Sequence, residues 1–286
     1  RINFWRPYTL WMYHLPGGCR REIFRADLSM SISTLHSVKG TNSIAHARVD
    51  LAAAHRLSVL HELEEGIDNH FTVTLPGYED RFLFLPFGLH WSEACASDFI
   101  IFDESGHLFE GKEGDLELSA QAIHAPIHRI TGARVVFHTH QPWALSLNML
   151  DDNRLVPATQ TSAIFYHRSV AYDDDYRGAA DSLSEGERLA GAIGNKHTLF
   201  MKNHGVLVIG STVAEAYHRL YFLERVCRTQ MLAMATGRTV VPIDDKIIQK
   251  SQESAKNDPH SPARRANLFF EAMKRVLDRE MPGYAD

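Results

Sequence analysis

The residues best suited to chemistry are histidines. His138 and His140 stand one residue apart at the close of the apolar, β-branched run "ARVVFHTH". In a strand, residues i and i+2 point the same way, so both imidazoles can project from one face at the strand's end. Rings placed like this can hold Zn²⁺, Mn²⁺ or Fe²⁺, given a third protein ligand and open positions for substrate. His204, in "FMKNHGVLVIG", is the candidate third ligand: it sits at a break between two apolar runs, with Gly205 allowing a tight backbone. His124 and His128 in "IHAPIH" form an i, i+4 pair that also suits a helix face. They lack the intervening Glu of a metalloprotease and have Pro126 between them, so packing beside the metal strand is the expected role. With 17 histidines in 286 residues, about one His-x-His arises by chance, so spacing alone leaves a packing role open for the 138/140 pair.

The elements that must position these side chains follow from periodicity and caps. A helix is predicted over residues 43–65, with Ser43 as N-cap and Gly66 beyond its end. "HFTVTL" and "RFLFLPFG" read as strands joined by the turn "PGYED", and "DFIIFDESGHLFEG" as a hairpin turning at residues 104–106. A helix runs to Gly132 despite Pro126. It is followed by the histidine strand, a helix in "PWALSLNML" and a strand in "SVAYDD". "LSEGERLAGAIGN" is a helix capped by Ser182 or Ser184. "HTLFMKNHGVLVIG" is a strand, a break and a strand, and a long amphipathic helix capped by Ser211 or Thr212 comes after it. The predicted organisation is an N-terminal extension over residues 1–40, expected to be poorly ordered, then one α/β domain over residues 41–245. A charged, mobile segment over residues 246–286 is expected to carry one helix.

Composition narrows the function. An apolar fraction of 44%, a charged fraction of 23% and a net charge of −5 describe an ordinary globular chain with no electrostatic reason to bind nucleic acid or an anionic membrane. No apolar run approaches the ~20 residues that span a bilayer. The three cysteines, Cys19, Cys95 and Cys227, are far apart and lack CxxC spacing, which predicts a cytoplasmic protein without a disulfide framework or a thiolate site. GxSxG, P-loop and GxGxxG patterns are absent.

With these residues in view, the chain resembles the class II aldolase/adducin family over residues 45–237. The resemblance rests on four blocks in order: "EGIDNHFTVTLPG", "FLPFGLHWSEACASDFIIFD", "IHAPIHRITGARVVFHTHQPWALSL" and "LFMKNHGVLVIGSTVAEAYHRLYFLERVC". It implies a three-layer α/β/α sandwich around a mostly antiparallel central sheet, and a divalent metal, usually zinc, on His138, His140 and His204. It also implies a homotetramer with sites at subunit interfaces, and a small-molecule substrate. In family aldolases the metal polarises carbonyl and hydroxyl oxygens as the carbon–carbon bond breaks, and an acidic residue early in the preceding helix moves the proton. That acid's position falls on residues 118–120 here and is missing; Glu117 lies nearby, out of register by about three residues.

The phosphate-binding turns are eroded to "DNHFT" and "PFGLHWSE", which keep only Gly88 of the small residues, so a phosphate nest is not expected. Asn69 or His70, with Gly88, is expected to meet an uncharged or carboxylate-bearing substrate. Glu65 is the expected replacement acid, with Glu93 a second candidate, and Tyr166 or Tyr172 a phenolic donor. These features point to a metal-dependent carbon–carbon lyase, an aldolase or a decarboxylase, acting on a small non-phosphorylated oxo- or hydroxy-acid. The alternatives are a non-catalytic adducin-like binding or scaffold protein and a non-haem iron oxygenase on the same ligands.

Overall fold

Alternation of side chains along the strands organises the molecule. The structure, a computed structural model, describes residues 34–286 except 179 and 257–260, with side chains from residue 43. Eight strands form one sheet: β1 (His70–Thr74), β2 (Arg81–Phe84), β3 (Ile100–Asp103), β4 (Leu108–Glu110), β5 (Val135–Thr139), β6 (Val170–Asp173), β7 (Thr198–Met201) and β8 (Gly205–Gly210). Their order is β4-β3-β2-β1-β5-β8-β7-β6. Every neighbouring pair is antiparallel except β6–β7. The predicted mostly antiparallel three-layer sandwich is therefore what the chain forms.

The two faces of the sheet carry separate cores. Phe71, Val73, Val135, Phe137, Val206 and Val208 point to one side. They pack there against α1 (Thr34–Leu60), α3 (Pro142–Asn148), α5 (Val213–Met234) and α7 (Pro262–Glu280). Val136 and Leu207, one position along, point to the other side, against α2 (Leu118–Thr131) and α4 (Leu183–Ile193). The same alternation sends His138 to the α2 side with Val136, and His70, Thr72 and Thr74 on β1 face that way too. All five β1 side chains are buried. The polar stripe of β1 thus faces the interior of the protein.

Helix α2 keeps Pro126 inside it. Proline has no N–H, so the carbonyl of Ala122 loses its intrahelical donor. Gly186 on α4 lies against that carbonyl: a Cβ there would come to 2.0 Å from the Ala122 oxygen. The Gly186 Cα–H covers the freed oxygen, a weak bond that only glycine can make at this separation.

Several boundaries differ from expectation. Helix α1 is already formed at Thr34, so Ser43 lies inside it and is not its N-cap; it ends at Leu60, and Glu62 takes a positive φ of 57°. Residues 1–33 of the expected extension lie outside the described residues. The tail holds two helices, α6 (Asp245–Lys256) as well as α7. It is not a loose end, since Phe270, Leu277 and Tyr284 are buried in the main core. Gly132, Ser182 and Thr212 cap as predicted. No helix among the described residues is long and apolar enough to cross a membrane.

Candidate metal centre

The close of β5 and the turn between β7 and β8 build the centre. β5 pairs with β8 in register, setting His138 opposite Leu207 and Thr139 opposite Val206. β7 turns into β8 through Asn203, whose positive φ of 58° suits asparagine. That turn brings His204 against the β5 rings. Ligand nitrogens of His138, His140 and His204 lie within 4.8 Å of one another, the only such group of three or more potential ligands among the described residues.

Hydrogen bonds orient these rings for a cation. His138 donates from Nδ1 to the Val206 carbonyl at 3.0 Å, and His140 donates from Nδ1 to the Glu65 carboxylate at 2.5 Å. Their Nε2 atoms face each other at 3.1 Å. A divalent cation beside that pair would be met by both nitrogens. For bonds near 2.05 Å the edge of a ligand tetrahedron is ~3.3 Å, so the spacing matches. Burial pushes the His138 imidazole well below its usual pKa and His204 down to about 4, keeping both in the ligating neutral form. Gly205 makes the crowding feasible: a Cβ there would meet the Thr139 carbonyl at 2.6 Å and the His140 ring at 2.7 Å. The donor set and its outer hydrogen bonds fit a divalent metal.

The other expected site residues divide. Glu65 reaches the centre through His140. Asn69 does so from behind: its Oδ1 accepts from the N–H groups of Glu65 and His140, at 2.9 and 3.3 Å. Its side chain is buried and paired, so it braces the loop, and it also lines a small cavity beside Glu117. His70 is paired at both ring nitrogens. Its Nδ1 bonds His124 Nε2 at 2.8 Å, its Nε2 bonds the Ser119 hydroxyl at 3.2 Å, and its ring leans on His138. Tyr166 is not brought to the triad. It is buried in the main core on a single π-helical turn, with its hydroxyl donating to the Arg219 carbonyl at 2.6 Å. Tyr172 receives the Leu155 N–H and stacks on Phe200. Glu93 caps its own short turn through the His90 N–H.

Glu117 lies on the far side of His70 from the triad, joined to it through Ser119. It lines one small cavity, about 10 Å³, with Asn69, His70 and Gly88, room for about one water. Its Oε1 accepts from Ser119 at 2.5 Å, while Oε2 is buried with no partner. Burial raises its pKa, the Ser119 bond opposes that, Asp68 adds to it, and His140 pulls the other way. Glu117 is the N-cap residue of α2, with no capping bond from its side chain. A second acid carried no sequence signal. Glu224 on α5 accepts from the N–H groups of Trp143 and Ala144, at 2.8 and 3.0 Å, and so fixes the start of α3 just beyond His140. Burial raises its carboxyl to about 7.

This fold and centre define a class. The chain belongs to the class II aldolase and adducin N-terminal domain family, which matches residues 49–231. Among relatives, an aldolase class 2 protein of Caulobacter vibrioides is 35% identical over 253 residues, covering 87% of this chain and 96% of its own length. The decarboxylase NovR of Streptomyces niveus is 26% identical over 204 residues, 69% of this chain and 74% of its own. The crystal structure of an aldolase II superfamily protein from Pseudomonas syringae superposes with a TM-score of 0.76 at 33% identity, covering 85% of this chain and 96% of that one. The L-fuculose 1-phosphate aldolase of Glaciozyma antarctica gives 0.73 at 25% identity, over 85% and 94%.

Proposed function

We propose that this protein is a divalent-metal-dependent lyase that cleaves or forms a carbon–carbon bond in a small oxo- or hydroxy-acid lacking phosphate. The observation that carries the reading is the pair of Nε2 atoms of His138 and His140 facing each other at 3.1 Å with His204 beside them. These three histidines would hold the metal, zinc by preference and manganese or iron as alternatives. A divalent ion bound there supplies a Lewis acid for an oxygen next to the reacting bond. The relatives named as an aldolase and a decarboxylase support a lyase on this fold.

The chain's own groups do the rest. Glu65 holds the His140 ring with its free lone pair inward. Glu117 presents an unpartnered carboxyl oxygen, Oε2, as the group that exchanges a proton with the substrate carbon; it takes the place of Glu65 and Tyr166 as catalytic acid. The turns around residues 68–72 and 86–93 keep only Gly88 of the small residues of a phosphate nest, which favours a substrate without a phosphate. His140 and Glu65 lie at the exposed edge of the centre, their side chains 16% and 60% accessible. That openness fits a site closed by a neighbouring subunit, as in a homotetramer.

Metal analysis of the purified protein, followed by a screen of 2-oxo acids, hydroxyaromatic acids and aldol adducts on the metal-loaded form, tests the reading. Stoichiometric metal that disappears in His138→Ala, together with metal-dependent consumption of one substrate class, is the expected result. A stably folded protein that takes up no divalent metal would overturn it in favour of an adducin-like binding role.

A further inference from the structure

A cavity of about 360 Å³ opens between α5, the start of α3 and the residues that follow α1. Small-molecule sites run to ~300–1,000 Å³, so it is large enough for a ligand. None of the three triad histidines lines it. Helix α5 turns Tyr221, Glu224, Arg225, Arg228 and Leu232 toward it, positions three or four apart that share one face. The start of α3 contributes Trp143, and the segment after α1 contributes Glu62 and Leu63.

The two arginines set this face apart. Arg48, Arg129, Arg154 and Arg188 are each ion-paired with a carboxylate. Arg225 and Arg228 are exposed, and neither has a hydrogen bond or an ion pair with any described residue. Their contacts are aromatic: Arg225 lies 5.7 Å from the centre of the Tyr221 ring and Arg228 5.6 Å from that of Trp143. Glu224 stands between them in sequence but is turned to α3, where its two oxygens each take a backbone N–H. Two guanidinium groups thus keep their donors free beside two flat rings.

The charge of the cavity limits what those donors can take. Against the two arginines stand Glu62 and Glu224, while His61 is held toward its neutral form by burial. Burial raises the Glu224 carboxyl to about 7, so at neutral pH about half of it is un-ionised. With Glu224 un-ionised the surplus is a single positive charge. One carboxylate neutralises that surplus, and a dianionic phosphate would exceed it. Guanidinium planes and aromatic faces together favour a flat partner.

We propose that this cavity is a second binding site, separate from the metal centre, for a small carboxylate carried on an aromatic ring. Arg225 and Arg228 take the carboxylate, and Trp143, Tyr221, Leu63 and Leu232 supply apolar surface for the ring. The site is connected to the metal centre along the chain. Glu62 and Leu63 run on to Glu65, which holds His140, and Trp143 follows His140 by three residues. An occupant therefore contacts both segments that carry the exposed edge of the centre. The proposal does not rest on the lyase reading.

Isothermal titration of the metal-loaded protein with 3-phenylpropionate tests it. Saturable binding is expected, with a change in tryptophan fluorescence that disappears in Trp143→Phe. Removing the charge from the probe, as 3-phenylpropanamide, or from the wall, as Arg225→Met with Arg228→Met, should weaken binding about tenfold or more. Both arginines are exposed, so the double variant should melt at the parent temperature. Inorganic phosphate should bind at least about tenfold more weakly than the probe. His204→Ala should leave the affinity for the probe unchanged. Loss of binding in that variant would put the carboxylate on the metal and overturn the second site. Absent binding, equal affinity for the amide, or full affinity in the double Met variant would overturn it too, and phosphate binding as tight as the probe would overturn the carboxylate assignment. A purified protein that takes up no metal would count against the proposed function and leave this titration intact.

Discussion

Two clusters of three histidines lie side by side, touching where the His70 ring leans on His138 with centroids 5.0 Å apart, and they are suited to different work. In the 138/140/204 cluster, two rings have their far nitrogen anchored and the near nitrogen aimed at its neighbour. In the 70/124/128 cluster every ring nitrogen already has a protein partner. Burial makes most of these rings neutral in both places, so burial is not what separates them. An imidazole becomes a ligand or a relay according to what its second nitrogen meets.

The largest effect that could break this contrast is at the ligands. His204→Ala should abolish stoichiometric metal, read by elemental analysis, while unfolding free energy of the metal-free protein changes by only about 1 kcal/mol. Unchanged occupancy would remove His204 from the ligand set. Acid comes next. His55 and His128 are lowered to about 4 by burial. Between about pH 6.5 and pH 4 the unfolded chain therefore binds protons that the folded chain refuses. Stability is full above 6.5 and falls toward 4, by up to about 1.4 kcal/mol per pH unit for each. Urea melts between pH 7 and 4.5 measure this, and a flat profile would contradict neutral, buried relay rings.

His124→Leu sharpens the comparison from the other cluster. It leaves the inward nitrogen of His70 without its partner and takes one of two histidine partners from the Thr72 hydroxyl, which keeps His128, so the fold should lose about 2–3 kcal/mol by urea denaturation yet still bind metal. Lost metal with intact stability would show that the clusters are one site. The smallest effect is expected at Glu65→Gln, where the His140 ring keeps a weaker acceptor. Metal affinity should fall about tenfold in a chelator competition, with the fold unaffected.

Much of this was legible in residue order, and the misses share a cause. The strand around His138, the turn carrying His204 and the caps at Gly132, Ser182 and Thr212 follow from local rules, and the structure has them. His70 was read as facing a substrate because it stands in the turn that holds phosphate in the resembling family. What that reading lacked is α2, whose His124 and His128 lie over β1 and supply partners for His70, Thr72 and Thr74. The alternation in "HFTVT" and the i, i+4 spacing in "IHAPIH" were each visible; their meeting was not, because it depends on how a helix packs on a sheet. Glu117 was set aside in the sequence as about three residues out of register. Its burial and its link to His70 through Ser119 depend on how α2 packs on β1. Tyr166 and the tail erred the other way: aromatics and charges taken for a donor and a loose end have a packed face that only long-range contact defines.

The glycine on α4 has a practical consequence. Gly186 contacts no metal or proton-bearing group, yet any larger residue there collides with the backbone of the helix that carries Glu117, His124 and His128. A mutational scan scored on turnover would rank it among the indispensable positions, and a reader mapping such hits onto a pocket would draw the active site too wide. Ranking the same variants by thermal melting as well would separate the hinge plate from the tools mounted on it.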